Sequence, residues 1–333
     1  MVFRMKKVRW GILSTANIAR TKVIPAIQES QYGEVIAIAS REYSSAQAAA
    51  QELGIARAHE GYEALLADPN VDAIYNPLPN HLHVPWSIKA LEAGKHVLCE
   101  KPIGLDSNDL NQLLAAAEQR PELKLMEAFM YRFHPQWAAI KSWLANDLGQ
   151  IRLVNAFFGY NNRNPDDIRN LPDIGGGGLM DIGCYGISLA RLVYGGEPTR
   201  VIASLRPLPG YRVDCLASAI LEFPNGTATF TASTKTEPTQ WAEIHAEAGL
   251  MRLDKPFNPE PGQGANVHLQ LQGKEQSHSF REGNQYQLMA DAFARSILDN
   301  TPVPTPLTDA QGNMRVMDGL FASARENRWI DLG

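Results

Sequence analysis

The first 126 residues alternate short apolar runs with longer stretches of helical pattern, and this alternation restricts the possible folds more than any other feature of the chain. Five apolar runs are predicted to be strands, at residues 8–13, 34–39, 71–75, 96–99 and 123–126. Because these runs are apolar throughout rather than alternating, each strand is expected to be buried on both faces. The pattern predicts an α/β domain with a doubly wound parallel sheet, the arrangement that binds nucleotides.

Beyond residue 150 the extended segments follow one another directly. They are predicted at residues 151–158, 200–205, 215–223, 227–233, 242–248 and 267–272. Pro224-Asn225-Gly226 between two of them is typical of a hairpin turn. This half is predicted to be an α+β domain with an open-faced, mostly antiparallel sheet. We expect domains at 1–125 and 126–333, with the last helix, near 309–327, packing back on the first domain.

Composition excludes several classes of protein. The chain has 333 residues and a formal net charge of −5, which argues against a surface built for nucleic acid. Its three cysteines include no CxxC pair and are too few for a disulfide scaffold, which favours a reducing compartment. It has no run of the roughly 20 apolar residues that a spanning helix needs. We therefore expect a cytoplasmic protein with no membrane or nucleic-acid partner, and a homodimer or homotetramer formed through the open sheet face.

A loop of small residues follows the first predicted strand. The dinucleotide fingerprint G-x-G-x-x-G/A places small residues where backbone amides approach a pyrophosphate. Here its three positions hold Ser14, Ala16 and Ala19. The loop alone fits an ordinary strand-to-helix turn equally well. The residues predicted to contact the cofactor in this loop are Ser14, Thr15, Ala16, Asn17 and Ile18.

The end of the second strand indicates which cofactor binds. An NAD site is expected to carry an acidic residue there, about 20 residues after the loop. Ser40 and Arg41 occupy this place, and a hydroxyl beside a guanidinium suits a 2′-phosphate. The sequence thus favours NADP. NAD remains the alternative if the strand extends one or two residues further, to Glu42.

Two polar segments follow the third and fourth predicted strands. Asn76-Pro77-Leu78-Pro79-Asn80-His81-Leu82-His83 follows the third, and Glu100-Lys101-Pro102 follows the fourth. Both lie at carboxyl ends of parallel strands, where such sheets bind their ligands. His81 and His83 have no cysteine or carboxylate beside them, so no metal site is predicted.

Four consecutive glycines, 175–178, lead into a helical stretch that contains Asp181 and Tyr185. A glycine run before a helix can hold an anion or act as a hinge. Residues four apart share one face of a helix, so this carboxylate and this phenol could act together as acid and base. From the spacing alone, a helix cap and a core tyrosine are the favoured interpretation.

Together these motifs resemble the glucose–fructose oxidoreductase / inositol dehydrogenase (Gfo/Idh/MocA) family over essentially the whole chain. The resemblance depends on four segments in order: the loop at 14–19, Pro79-Asn80-His81-Leu82-His83, Glu100-Lys101-Pro102, and Asp181-Ile182-Gly183-Cys184-Tyr185. The last segment, together with residues 126–135, is similar to the branch that contains dimeric dihydrodiol dehydrogenase and NADP-dependent D-xylose dehydrogenase. It ends in tyrosine, where many members of the family have histidine.

The resemblance implies a Rossmann domain, a nicotinamide cofactor and a sugar or polyol substrate. It implies that Lys101 is catalytic and that Tyr185 is the acid–base residue, with Asp181 orienting the pair or binding substrate. A free tyrosine, with a pKa of about 10, is a weak base at pH 7, and a neighbouring lysine would favour its phenolate. Further cofactor contacts are expected at Pro77, Leu78, Asn80, His83, Glu100 and Arg132. Further substrate contacts are expected at Asn162, Arg163 and Arg169.

The function that this implies is hydride transfer between NADP and a carbinol or carbonyl carbon of a sugar, polyol or cyclic diol. Two alternatives remain. One is sugar–sugar oxidoreduction with a tightly held cofactor, and the other is a sensor that binds NADP without turnover. A sensor has no need of an acid–base pair, so the presence of both Lys101 and Tyr185 argues against the second alternative.

Overall fold

The computed structural model describes residues 6–333, and these residues form two compact units. The first unit comprises the described residues up to Phe133 together with Asn284–Ala310. The second comprises His134–Gly283 together with Gln311–Gly333. Each unit is built around one sheet.

The sheet of the first unit has six strands, all parallel. They are β1 (Val8–Leu13), β2 (Gly33–Ser40), β3 (Arg57–Glu60), β4 (Ala73–Asn76), β5 (His96–Cys99) and β6 (Leu125–Glu127). Their order across the sheet is β3-β2-β1-β4-β5-β6. The order reverses between β1 and β4, and ligands bind at the carboxyl ends of strands at such a switch point. The predicted doubly wound fold is confirmed.

Helices complete this unit, and one of them comes from far along the chain. The helices are Ile24–Gln28, Tyr43–Leu53, Tyr62–Leu66, His83–Glu92, Ser107–Glu118 and Gln285–Leu298. The last of these brings Phe293 against Trp10 of β1, with ring centroids 5.6 Å apart, and both side chains are fully buried. Burial of an aromatic side chain contributes about 1.5–3 kcal/mol, which explains why this helix belongs to the first unit.

The sheet of the second unit has nine strands. They are β7 (Ile151–Asn161), β8 (Arg200–Arg206), β9 (Leu216–Phe223), β10 (Gly226–Ser233), β11 (Lys235–Ala246), β12 (Gly249–Leu253), β13 (Ala265–Leu271), β14 (Lys274–Phe280) and β15 (Ile330–Asp331). Their order is β14-β13-β12-β11-β7-β10-β9-β8-β15. The pair β7 and β10 is parallel and the other pairs are antiparallel. The predicted mostly antiparallel sheet is confirmed, as is the hairpin at Pro224 and Asn225.

The two faces of this sheet differ. The helix Cys184–Tyr194 packs on one face, where a Cβ at Gly186 would lie 2.5 Å from the Phe230 ring. Alternate residues of β9, β10 and β11 point to the other face, and there Ile220 of β9 and Trp241 of β11 are 39% and 41% exposed. The remaining helices of the unit are Gln136–Asn146 and most of Leu307–Glu326.

Several strands have no counterpart in the sequence prediction. β3 reads Arg-Ala-His-Glu and β14 reads Lys-Glu-Gln-Ser-His-Ser-Phe, so neither has an apolar run. Both are edge strands, where charged side chains are tolerated because one side of the strand has no neighbouring strand. The first half of β11 is also polar, and β11 begins at Lys235 whereas the predicted strand begins at residue 242. Across residues 6–333, no helix is long and apolar enough to cross a membrane.

Candidate active site

The small-residue loop turns sharply at the end of β1. Ser14 adopts a left-handed backbone conformation, with φ of +71°, and its Oγ accepts a hydrogen bond from the Ala16 amide at 3.2 Å. Glycine normally supplies such a conformation, and here a serine stabilised by its own side chain supplies it. Beyond the turn, Ala19 is fully buried and begins the π-helical turn Ala19–Val23. The amides of Thr15 to Ile18 therefore lie at a helix N-terminus, where phosphate binds readily.

β2 ends at Ser40, whose carbonyl accepts a hydrogen bond from the Gly61 amide. Arg41 follows and is exposed, and Glu42 already precedes the helix Tyr43–Leu53. The strand therefore does not extend to Glu42, as the NAD alternative requires. Burial raises the pKa of Tyr62, and the nearby charge of Arg41 opposes this effect.

The segment after β4 is held together by two buried side chains. Asn76 donates through Nδ2 to the His83 carbonyl at 3.0 Å and to the Ser87 hydroxyl at 3.1 Å. The ring of His83 is 1% exposed, with Nε2 2.6 Å from the Leu78 carbonyl and Nδ1 2.7 Å from the Pro102 carbonyl. His83 thus links the loops that follow β4 and β5.

Burial decides the charge of this histidine. The two carbonyls favour a protonated ring, but burial outweighs them and lowers the pKa of His83 to about 4. A neutral imidazole donates one hydrogen bond at a time. The predicted contact of His83 with the cofactor stays a prediction. Among residues 6–333 no group of three or more His, Cys, Asp or Glu side chains is arranged to hold a metal ion.

The turn that carries Lys101 is fixed by carboxylates on both sides. Glu100 accepts a hydrogen bond of 2.5 Å from the buried Tyr75 hydroxyl and another of 3.3 Å from the Lys101 amide. Glu127, at the end of β6, accepts from the Ile103 amide at 2.8 Å. The Lys101–Pro102 peptide bond is cis. Lys101 thus lies in a loop whose backbone contacts the ends of three neighbouring strands.

Arg132 is buried in the first unit. Its Nη1 lies 2.6 Å from Oδ2 of Asp309, and its guanidinium lies over the Phe129 ring. The predicted contact of Arg132 with the cofactor stays a prediction.

In the second unit, Tyr185 lies in an aromatic environment. Its ring centroid is 5.4 Å from those of Phe158 and Phe257, and the residue is 4% exposed. The α-helix begins only at Cys184, because Leu179–Gly183 forms a π-helical turn. Single turns of this kind are frequent at functional sites.

Asp181 lies in that π-helical turn and is joined to two side chains. The Tyr160 hydroxyl donates to Oδ2 at 2.5 Å, and Arg169 Nε lies 3.5 Å from Oδ1. Burial and the charge of Asp181 raise the pKa of Tyr160, so this phenol stays protonated and acts as a donor. The charge of Asp181 likewise raises the pKa of Arg169. The structure therefore brings together two predicted substrate contacts, Asp181 and Arg169.

The other two predicted substrate contacts lie in the same loop, at 162–170. Lys235 Nζ donates to the Asn162 carbonyl and, at 2.9 Å, to Oδ1 of Asn170. The Arg163 carbonyl accepts a hydrogen bond of 3.1 Å from Tyr211, whose ring lies 3.8 Å from Lys235 Nζ. The backbone of both predicted residues is thus anchored, while the Arg163 side chain is exposed.

Two residues of this region were missed by the sequence analysis. Tyr160 is at the end of β7, beside a polar loop, and no spacing rule relates it to Asp181. Asp214 lies between Val213 and Cys215, and its Oδ2 accepts a 2.7 Å hydrogen bond from the Leu179 amide. A lone acidic residue between two apolar ones is a weak signal for a buried carboxylate, and the sequence offers no stronger one.

The family is decided by two matches. Residues 8–129 match the model of the GFO_IDH_MocA oxidoreductase family with an NAD-binding Rossmann fold, and residues 137–252 match the GFO/IDH/MocA C-terminal domain. The chain belongs to the Gfo/Idh/MocA family. The resemblance inferred from four motifs is therefore confirmed.

Relatives within the Gfo/Idh/MocA family support the predicted branch. A D-xylose 1-dehydrogenase (NADP(+)) from Haloferax volcanii is 38% identical, covering 97% of this chain and 99% of the relative. A trans-1,2-dihydrobenzene-1,2-diol dehydrogenase from Mus musculus is 31% identical over 76% of each chain. A 3-ketoreductase from Actinomadura kijaniata, solved with NADP and TDP-benzene, is 32% identical with a TM-score of 0.88, covering 96% of this chain and 98% of its own.

Proposed function

We propose that this protein is an NADP-dependent dehydrogenase or reductase that acts on a CH–OH or C=O group of a sugar, polyol or cyclic diol. One observation carries the choice of cofactor: β2 ends at Ser40, Arg41 follows, and Glu42 lies beyond the strand. An acidic residue at the strand end would repel a 2′-phosphate, whereas a guanidinium attracts it. The xylose dehydrogenase, whose name specifies NADP, and the ketoreductase, which was solved with NADP, support the same choice.

The residues of the first unit suit a dinucleotide. The left-handed Ser14 turns the chain at the switch point of the sheet, so small side chains and helix amides line the place for a pyrophosphate. In this proposal residues 1–125 bind the cofactor and residues 126–333 bind substrate. The residues proposed to hold NADP are Ser14, Thr15, Ala16, Asn17, Ile18, Ser40, Arg41, Pro77, Leu78, Asn80, His83, Glu100, Lys101 and Arg132.

The protein's own groups supply the proton chemistry, and a bound nicotinamide would supply or accept the hydride. Tyr185 exchanges the proton of the substrate hydroxyl, and the cation of Lys101 stabilises the negative charge that develops on that oxygen. Asp181, held by Tyr160 and Arg169, accepts a hydrogen bond from a second hydroxyl of the substrate. Asn162 and Arg163 add polar contacts.

A dehydrogenase assay tests the proposal. The purified protein is incubated with NADP and with aldoses, inositols, anhydrosugars or aromatic dihydrodiols, and reduced nicotinamide is followed by its absorbance. We expect turnover with at least one class and a higher kcat/KM with NADP than with NAD. Nicotinamide absorbance that persists through purification, with turnover only when two sugars are present, would instead indicate sugar–sugar oxidoreduction. Binding of NADP without turnover on any substrate would indicate a sensor and contradict the proposal.

We further propose that the enzyme is a cytoplasmic homo-oligomer, a dimer or tetramer formed through the open face of the second sheet. Ile220 and the stacked pair Phe157 and Trp241 give this face apolar area that a second copy would cover. Light scattering of the wild-type protein should give the mass of two or four chains. I220R and W241E should reduce that mass, and a wild-type monomer contradicts the proposal.

A further inference from the structure

Asp214 occupies the N-terminus of the segment that leads to Tyr185. Its Oδ2 accepts a 2.7 Å hydrogen bond from the Leu179 amide, and its backbone carbonyl accepts another of 2.7 Å from Gly178. The first amides of a helix have no partner within the helix, so they attract an anion. The sequence indicated that the glycine run could hold an anion. In the structure the carboxylate of Asp214 accepts the hydrogen bond that such an anion would accept.

The glycine run is shaped around this carboxylate. Gly177 has φ of +129°, and a Cβ there would overlap Oδ1 of Asp214. A Cβ at Gly178 would lie 3.2 Å from Oδ2. A Cβ at Gly176 would lie 2.6 Å from the Leu171 carbonyl. A side chain at any of these three positions would lie too close to the Asp214 carboxylate or to the backbone of Leu171, which explains why glycine occupies them.

Asp214 is itself anchored to the sheet. The amide of the next residue, Cys215, donates to the Arg206 carbonyl at 2.9 Å, and its carbonyl accepts from Thr234 at 3.0 Å. Burial raises the pKa of Asp214, while the hydrogen bonds from Leu179 and Gly178 oppose that effect. The hydrogen bond from the Leu179 amide to Oδ2 thus offsets part of the cost of burying this carboxylate.

The segment that Asp214 holds carries both reactive side chains of the second unit. The Asp181 amide donates to the Gly177 carbonyl at 2.9 Å, so the glycine run that packs on Asp214 is hydrogen-bonded directly to the π-helical turn. Tyr185 follows in the first turn of the α-helix. We propose that Asp214 is a positioning residue, which fixes Asp181 and Tyr185 relative to the sheet of the second unit. Only the expected change in kcat rests on the proposed function, and the structural part of the inference does not.

Three variants test the inference. D214A removes the acceptor, D214N keeps an acceptor oxygen without the charge, and D173A removes a carboxylate exposed in the preceding loop as a control. Losing a charge-assisted hydrogen bond of about 1.5–3 kcal/mol corresponds to a tenfold to hundredfold change. We expect D214A to lower kcat by that factor with the Kd for NADP unchanged. D214N should recover part of the loss, because a neutral acceptor makes a weaker hydrogen bond, and D173A should match wild type.

Hydrogen exchange provides a readout that does not depend on activity. Amides of residues 177–186 should exchange faster in D214A than in wild type, and at the wild-type rate in D173A. If D214A does not fold, G177A displaces the carboxylate instead, and G210A is its control because Gly210 also has positive φ but open space around it. G177A should then lower kcat and speed exchange, and G210A should do neither.

Two results overturn the inference. One is wild-type kcat and wild-type exchange in D214A. The other applies if D214A does not fold, and it is a kcat and an amide exchange rate in G177A that equal those in G210A. A wild-type protein without turnover would refute the proposed function, and the exchange measurement would still decide whether Asp214 holds the segment.

Discussion

The hydroxyl of Tyr160 donates a 2.5 Å hydrogen bond to Oδ2 of Asp181, joining the end of β7 to the π-helical turn before Tyr185. Because the pKa of Tyr160 is raised, the phenol remains a donor over the physiological pH range. It therefore holds the carboxylate by donating to it, and the acid–base role remains the one proposed for Tyr185. Asp181 owes its orientation to a residue that precedes it by 21 positions.

Y160F should lower kcat/KM for substrate by about tenfold to a hundredfold, because a hydrogen bond to a charged group contributes roughly 1.5–3 kcal/mol. The Kd for NADP should not change. The matched control is Y194F, which removes a phenol that donates to the Thr227 carbonyl at 3.0 Å in the same unit. Equal kcat/KM in Y160F and Y194F would show that the contact with Asp181 has no part in turnover.

K101A and Y185F should each lower kcat by about two to four orders of magnitude, the contribution expected of a general acid–base group. If both act on the same substrate oxygen, the double variant should lose little more than the worse single variant. K89A is a suitable control because Lys89 lies on the surface over the Trp86 ring. Y185F with near wild-type kcat would remove the tyrosine from the mechanism.

R41A should weaken NADP binding by about tenfold to a hundredfold and leave NAD binding almost unchanged, because NAD has no 2′-phosphate. S40D should go further and favour NAD, since a carboxylate repels phosphate and accepts from the ribose hydroxyl. E42Q is the control and should keep the wild-type preference. Isothermal titration and kcat/KM with each cofactor measure these effects. A wild-type preference for NAD would contradict the prediction.

Stability should depend on pH through His83. The ring binds a proton near pH 6.5 in the unfolded chain and at about 4 in the folded protein. Between these values unfolding takes up one proton, so the free energy of unfolding falls by about 1.4 kcal/mol per pH unit as the pH is lowered. The contribution is complete above pH 6.5.

H83Q should therefore show a shallower dependence of the free energy of unfolding on pH, whatever its stability at pH 7.5. Urea unfolding at several pH values from 4.5 to 7.5 measures the slope. N225Q, an exposed position of the hairpin turn between β9 and β10 without a titratable side chain, should keep the wild-type slope. Identical slopes in H83Q and wild type would contradict the prediction, because they would mean that the pKa of the ring is the same in the folded and the unfolded chain.

Local pattern was sufficient where the physics is local. Apolar runs require strands buried on both faces, so β1, β2, β4, β5 and β6 were predictable, and Pro224-Asn225-Gly226 predicted the hairpin. β3 and β14 were not, because their polar sequences form strands only where a neighbouring strand supplies hydrogen bonds. The parallel pairing of β7 with β10 is likewise decided by the arrangement of the whole sheet.

The site divides in the same way. The sequence by itself determined which residue types stand at the ends of the strands, because strand ends follow from local hydrophobicity. These include the serine that ends β2, the arginine that follows it and the lysine in the loop after β5. Only the tertiary structure decided that Tyr160 and Asp214 hold the segment before Tyr185, and that both ring nitrogens of His83 face carbonyls. Hydrogen bonds act over about 3 Å, and residues far apart in the chain reach that distance only after the strands that carry them have packed.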